Sequence, residues 1–406
     1  MASVTQQAIG DKSDIQATVQ QIVAQVAQFE QDEPGSREKL IQTARSLIQS
    51  LETPMESILW MIWSEPTRYI AARLALDLKI FETLIEDNAR PKSVDDLTAP
   101  SGASPQLVKR ISRKLATMKM INETGVDEYA ANDFTHALNI PKYRDGIRFC
   151  FDSAGPSFAN MPQYFADTKY QNPQNANNGP FQYAHQNKSA FAWLNEHPEV
   201  FQAFQSYIHG QREDRPSWTD EGFYPVHERL VDGLEPEGES SALVDIGGGL
   251  GQVLVDFITV TPGWKGRLIL QEQEPVCQLA KASGIDQRVE VMVHDFFTAQ
   301  PIKGARAYYL RNILHDWPDA DCRKILAHIK DVMKPGYSKI LINDSVLADR
   351  DPSWQHASLD LYMMALTAAQ ERSEREWYDL INSCGLKIEG IWSKGEGNES
   401  IIEVVI

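Results

Sequence analysis

The run Leu243-Val-Asp-Ile-Gly-Gly-Gly-Leu-Gly251 constrains this chain more than any other stretch. A short apolar segment carries Asp245 near its end, glycine fills four of the five positions from 247 to 251, and a segment able to start a helix follows at Gln252. Such a pattern turns a buried parallel strand into a helix around a ligand. Glycine permits positive φ and lets backbone amides approach the ligand with no Cβ in the way. A dinucleotide turn requires G-x-G-x-x-G, whereas Gly247, Gly249 and Gly251 are spaced G-x-G-x-G behind Asp245.

That spacing points to an S-adenosylmethionine loop, although a glycine-rich turn with no ligand has the same look. From Ser241 onward strand and helix patterns alternate. Strands are expected at 242–246, 267–271, 289–293, 306–310 and 338–343, then near 386–392 and 400–405, which implies a mostly parallel sheet covered by helices. Ligands in such sheets sit beyond the carboxyl ends of the strands. The second strand ends on Glu272, an acceptor pair suited to ribose hydroxyls, or else a plain surface glutamate. The third leads into His294-Asp-Phe-Phe297, which offers Asp295 to an adenine amino group and Phe296 to its ring face. Beyond the fourth lies Tyr308-Tyr-Leu-Arg-Asn-Ile-Leu-His-Asp-Trp-Pro318, where His315 has the pKa range of a general base. His294 has a similar position but belongs to the strand end assigned to adenine. A structural histidine at 315 is the plain alternative. Two carboxylates favour the base: Asp344 ends the fifth strand, and Glu371 follows Gln370. A carboxylate on one imidazole nitrogen fixes the tautomer and stabilises the imidazolium, although Glu371 also suits a charge at a helix N-terminus.

Ahead of this unit the chain is helical. Ile15, Val19, Ile22, Val23, Val26 and Phe29 mark an amphipathic helix, and a second runs to about Leu51. Pro54 to Met120 is nearly all helix, with Ser104 as an expected N-cap before Pro105. A hairpin is expected from Ile121 to Ala130, turning at Thr124–Gly125. Helices followed by a hairpin form a winged-helix pattern. DNA binding through Lys109, Arg110, Arg113 and Lys114 is one reading of it; a dimerisation lobe with a solvated basic face is the other. The balance of 39 basic against 56 acidic side chains, net −17, favours the second and argues against nucleic acid and anionic membrane. Residues 146–234 are dense in aromatic side chains, the expected wall of an apolar, ring-containing substrate pocket. The four cysteines are far apart, so neither a metal site nor a disulfide framework is expected. No apolar run spans a bilayer and no signal peptide is evident, which makes a cytoplasmic protein the expectation.

Taken in order, Val244-Asp-Ile-Gly-Gly-Gly, Val293-His-Asp-Phe-Phe, Leu314-His-Asp-Trp-Pro, Lys334-Pro-Gly and Glu371-Arg-Ser-x-x-Glu-Trp resemble the small-molecule O-methyltransferases of plants and fungi. The segment Tyr308–Trp317 is most similar to the fungal branch that methylates polyketides. The resemblance implies a metal-independent transfer from S-adenosylmethionine to a small hydrophobic hydroxylated substrate. It also implies a C-terminal Rossmann-like seven-stranded α/β domain and a homodimer formed through an N-terminal, winged-helix-like lobe. The corresponding segments are 1–52 (helical extension), 53–145 (dimerisation), 146–235 (pocket) and 236–406 (cofactor domain). It assigns Asp245, Gly247, Gly249, Glu272, Asp295, Phe296 and Arg311 to the cofactor and His315, Asp344 and Glu371 to catalysis. Trp218, Met363, Met364 and Thr367 fall to the substrate pocket. One departure stands out: the family's Gln-Asp-Leu-Pro reads Gln271-Glu-Gln-Glu-Pro275 here, so Gln273 replaces an apolar residue. Some fungal relatives are pericyclases or dehydrating cyclases that bind the cofactor without transferring methyl, and those tend to differ at the histidine.

Overall fold

A computed structural model describes residues 10–33, 35–213, 215–234, 242–395 and 397–406. The chain divides into two units, 1–148 and 149–406.

The first unit is mostly helical: α1 (Lys12–Glu30), α2 (Ser36–Leu51), α3 (Pro54–Leu59), α4 (Glu65–Asp77) and α5 (Ile80–Ala89), then β1 (Lys92–Ser93), α6 (Val94–Thr98) and α7 (Pro105–Thr117). A hairpin of β2 (Asn122–Gly125) and β3 (Glu128–Ala130) pairs with β1 in a three-stranded sheet, and α8 (Asp133–Leu138) and α9 (Pro141–Phe149) follow. Ala72, Leu76, Phe81, Leu84, Leu115 and Tyr129 form its core. Two local expectations shift. Ser104 makes no side-chain cap, so α7 starts on Pro105 alone, whose fixed φ suits the first helical position. The hairpin turns at Val126–Asp127, because Asp127 rather than Gly125 takes the left-handed conformation, at φ 59°.

The second unit begins with a five-residue π-helical turn, Cys150–Ala154, followed by α10 (Gly155–Asp167), α11 (Pro180–Ala184), α12 (Ala190–Glu196) and α13 (Pro198–Glu213). There follow β4 (Leu243–Ile246), α14 (Gln252–Val260), β5 (Leu268–Glu272), α15 (Glu274–Ala282), β6 (Val289–Val293), β7 (Ala307–Arg311), α16 (Asp319–Lys330) and β8 (Lys339–Asp344). The chain ends with β9 (Val346–Leu347), α17 (Trp354–Thr367), β10 (Arg372–Ser373), α18 (Glu374–Ser383), β11 (Lys387–Ser393) and β12 (Ser400–Val405). Seven strands form one sheet in the order β11-β12-β8-β7-β4-β5-β6. Pairings from β8 through β6 are parallel, and β12 is antiparallel to both its neighbours.

Alternate strand residues face opposite layers. Val244, Tyr308, Leu310 and Ile342 meet Ile325 and Leu326 of α16 and Trp377 of α18. Leu243, Leu270, Tyr309 and Leu341 meet Leu254 and Phe257 of α14. The order reverses at β4, which has β5 on one side and β7 on the other. Such a switch point opens a crevice at the strand ends.

Candidate active site

The loop after β4 is shaped by its glycines. Gly247 (φ 68°), Gly249 (φ 59°) and Gly251 (φ 81°) are left-handed, and Gly251 caps α14. A methyl group added at Gly247 would lie 2.5 Å from Ile313 Cδ1, with Phe296 next nearest. Phe296 packs against Phe297 and Trp317, and Asp295 accepts the Phe297 amide at 2.9 Å while staying exposed. Glu272 ties the second strand end to the loop, accepting the Gly249 amide at 3.2 Å and the Gln273 amide at 2.7 Å. Burial raises its pKa against the pull of those two amides. Gln273 itself is exposed, which explains why a polar side chain is accommodated there. Asp245 lies sealed beneath the loop, fully buried, with no hydrogen-bond partner on either carboxylate oxygen among the described residues. Burial pushes it up to about 7, and the positive charge of Arg212 opposes this. The crevice therefore offers a backbone cradle, an aromatic face, acceptors at two strand ends and a buried, unpaired carboxylate. Those donors and acceptors fit an adenosine that carries a positive charge.

Arg311, at the end of β7, is engaged by Glu399 at 2.8 Å, and the same carboxylate receives Arg215 at 2.6 Å and Asn312 at 3.2 Å. Its guanidinium is thus tied to the residue just ahead of β12 as well as standing at the crevice.

His315 sits in the short 3₁₀ turn Leu314–Asp316 just beyond β7, 9% exposed. Its Nδ1–H donates to Glu371 Oε1 at 2.7 Å, leaving Nε2 as the basic nitrogen, with Asp316 Oδ1 3.7 Å away. Burial alone would lower this imidazole, but Asp316, Glu371 and Asp344 together raise it to about 10. Asp344 is fully buried at the end of β8. Neither of its oxygens bonds to His315 or to any other described group, and burial pushes it up to about 8. Of the two expected orienting carboxylates only Glu371 grips the ring; Asp344 makes no bond to it and is the smallest of the three carboxyl influences on its pKa. Nor is Glu371 a helix-terminal charge: α18 is capped by Ser373 with Glu376 in a capping box, while the Glu371 amide donates to Asp360 of α17 at 2.9 Å.

The parallel pairing of β9 with β10 sets Arg372 opposite Val346, and this brings Glu371 back to the end of β8. Arg372, fully buried, donates to the carbonyls of Leu314 (3.1 Å) and Trp317 (3.0 Å) and to Asp319 (2.8 Å). It clamps the turn that carries His315. Sequence reasoning passed over it although it adjoins Glu371, since an arginine in a polar run gives no sign that tertiary structure will bury it.

Met363, Met364 and Thr367 lie half-buried on α17, which packs on the His315 turn. The Thr367 hydroxyl is taken up by the Met363 carbonyl at 2.9 Å. Trp218 does not join them. It is 2% exposed in the opposite core, stacked on Phe257 at 5.9 Å and close to Tyr309 at 4.8 Å. Its indole fills the space between the sheet and α14, so its place as a pocket wall is corrected to that of a core residue.

Residues 231–387 match the model of an O-methyltransferase domain. The chain is 36% identical to the O-methyltransferase mpaG of Penicillium brevicompactum, over 95% of this chain and 97% of that one. Among solved structures, LepI in complex with SAM superposes with a TM-score of 0.83 at 28% identity, covering 98% of this chain and 100% of that one. A pericyclic reaction enzyme superposes equally, at 28% identity and over 96% and 100% of the two chains.

Proposed function

Because this chain belongs to the O-methyltransferase family, whose members depend on S-adenosylmethionine, we propose that it methylates a hydroxyl of a hydrophobic aromatic or polyketide-type metabolite. His315 is the general base of this reading. When bound, S-adenosylmethionine supplies a methyl group activated on a sulfonium. Glu272 would hold the ribose, Asp295 and Phe296 the adenine, and Gly247 and Gly249 the methionine part, with Asp245 and Arg311 setting the local charge. The observation that carries the proposal is His315 itself, its Nδ1 held by buried Glu371 at 2.7 Å and its Nε2 free of that bond. A phenol has a pKa of about 10, close to that of the raised imidazole, so the proton moves between groups of matched basicity. An unactivated alcohol is a poorer match.

This arrangement sets a pH dependence. His315 accepts a proton only when neutral, and its raised pKa means the neutral fraction grows with pH up to about 10. Methyl transfer at saturating substrate should therefore climb well past pH 7. Glu371→Gln removes one of the carboxylates that hold the proton on, so the acid limb should move to lower pH while the plateau falls. An unshifted limb in a pH–rate profile would remove Glu371 from this role.

A second reading is favoured by the same elevation. An imidazolium at neutral pH is a donor rather than a base, which suits cyclisation of a bound substrate without methyl transfer, and one similar structure is a pericyclic reaction enzyme. Incubation with methyl-labelled S-adenosylmethionine and a panel of phenolic polyketides and pyridones separates the two. Label in the product supports transfer; conversion with all label left on the cofactor overturns it.

The protein is further read as a homodimer. Met55, Ile58, Met61 and Trp63 are each 46–65% exposed beside an apolar groove lined by Ile48, Leu51, Leu59 and Trp60. A ridge next to a groove on one surface suits a two-fold contact between copies, and patches of this kind mark interfaces. Sedimentation should give a dimer for the native chain and a monomer for Trp63→Glu; a native monomer at micromolar concentration refutes the interface. No helix among the described residues is long and apolar enough to cross a membrane. The cytoplasm, where the free cysteines stay reduced, is the proposed location.

A further inference from the structure

The α14 side of the large sheet ends in a row of polar side chains. Leu243, Tyr309, Leu341 and Ile401 pack on that side, and alternation along each strand puts Asp245, Arg311, Asn343 and Glu399 there too, at the ends nearest the crevice. Glu399, 5% exposed, accepts Arg311 Nε on one oxygen (2.8 Å) and Arg215 (2.6 Å) and Asn312 (3.2 Å) on the other. Arg212, at the end of α13, reaches Asp256 of α14 through one Nη at 3.3 Å. Asp256 also accepts the Ser217 hydroxyl at 3.1 Å and the amide of Gln252, the first residue of α14, at 3.0 Å. The short segment from Arg212 to Arg215 thus bridges the start of α14 and Glu399, and it brings Arg212 to the side where Arg311 stands.

Two of these guanidiniums are underused. Each carries five N–H groups, and Arg212 and Arg311 each spend one on a described residue although their side chains are only 20% and 13% exposed. Polar groups so far out of water are nearly always bonded. Unlike the oxygens of Asp245, their remaining nitrogens are not sealed in, so they face accessible space. Three guanidiniums share the two carboxylates that hold them, Asp256 and Glu399, while Asp245 bonds to none of them. Burial and the charge of Arg311 both lower the Arg212 pKa, a repulsion that an anion beside both would relieve. A carboxylate matches the planar N–H fork of arginine. A second negative charge, as on a phosphate, would meet Asp245 and Glu272 at the same loop.

We propose that Arg212 and Arg311, held in place by Asp256 and Glu399, form a subsite for one carboxylate on the α14 side of the crevice. That chemistry has two sources here: the amino-acid carboxylate in the methionine part of the cofactor, and an acid group on the substrate. The first is the nearer to the glycine loop, because Ile313, two residues beyond Arg311, covers Gly247. The inference rests on the reading of that loop as the S-adenosylmethionine cradle.

S-adenosylhomocysteine and its decarboxylated analogue, the adenosyl thiopropylamine, differ only at the carboxylate. Calorimetry on the full chain should show S-adenosylhomocysteine binding about tenfold to a hundredfold more tightly, the range for hydrogen bonds to a charged group. In Arg212→Met the preference should fall to about threefold or less, with the analogue binding as in the native protein, and Arg212→Lys should recover part of it. A purely structural arginine would weaken both ligands alike. Arg311→Met should match Arg212→Met. Each change leaves its carboxylate other donors, Ser217 and Gln252 on Asp256 or Arg215 and Asn312 on Glu399, so one folded variant is enough. The second arm compares a hydroxycinnamic acid with its methyl ester while S-adenosylhomocysteine is bound. A preference for the acid that Arg212→Met removes, with the two nucleosides bound alike, assigns the subsite to the substrate. Equal binding within both pairs, or a preference that survives in folded variants, overturns the subsite and leaves the cofactor reading standing. A chain that binds neither nucleoside loses both.

Discussion

Replacing His315 with alanine should lower methyl transfer by about 10²- to 10⁴-fold, the range by which a positioned general base accelerates a reaction, while S-adenosylhomocysteine should bind as before. The separation follows from the geometry. The imidazole is held at Nδ1 by Glu371 and sits beyond β7 in a turn clamped by Arg372. The proposed adenosine contacts come from the loop after β4 and the ends of β5 and β6. Removing the ring leaves a buried carboxylate at Glu371 without its partner, so some loss of melting temperature accompanies the loss of rate. His315→Gln, which keeps a polar group of similar reach, should recover stability but not rate. Near-native turnover by the alanine variant, with cofactor affinity unchanged, would end the case for a histidine base.

Gly248→Ala should damage the cofactor loop more than any other single methyl group. Gly248 is not left-handed, so backbone strain is not the reason. Its added Cβ would lie 2.1 Å from Asp245 Oδ2 and 2.7 Å from Leu270 Cδ1. Asp245 is fully buried on a central strand and has nowhere to turn but into core, so the loop must lift. Overpacking of this kind costs about 1–3 kcal/mol, and the displaced amides should weaken S-adenosylhomocysteine binding by about tenfold to a hundredfold, since 1.4 kcal/mol is a factor of ten. Gly263→Ala is the control: an added methyl there meets nothing within 4 Å. Calorimetry that found the Gly248 variant binding like the control would show that the loop yields freely.

Much of this molecule was legible in the chain itself. The seven strands of the large sheet fall within a residue or two of where the apolar runs put them, because a strand buried on both faces must be apolar throughout and must stop at turn-forming residues. The glycine spacing, the acid at 272 and the Asp295–Phe296 pair are local features of strand ends, and a parallel sheet with its switch point at β4 brings strand ends together. His315 and Glu371 are 56 positions apart, and their motifs were recognisable because each has a local signature.

Tertiary structure alone decided what each buried side chain meets. Trp218 lies among aromatic residues in the chain yet packs behind the sheet against Phe257. Asp344 ends its strand as expected but makes no bond to the imidazole it was expected to orient. Arg372 looked like one more charge in a polar run and is the clamp of the turn that carries His315. The physical reason is one of range. Strand, turn and helix preferences are set by neighbours a few residues away, so the sequence by itself determined the sheet, its cradle and the kinds of residue at each strand end. Burial, hydrogen-bond partners and the raised basicity of His315 depend on groups that only the fold brings within a few ångströms, and these were decided when β9 paired with β10 and α17 closed on the turn beyond β7.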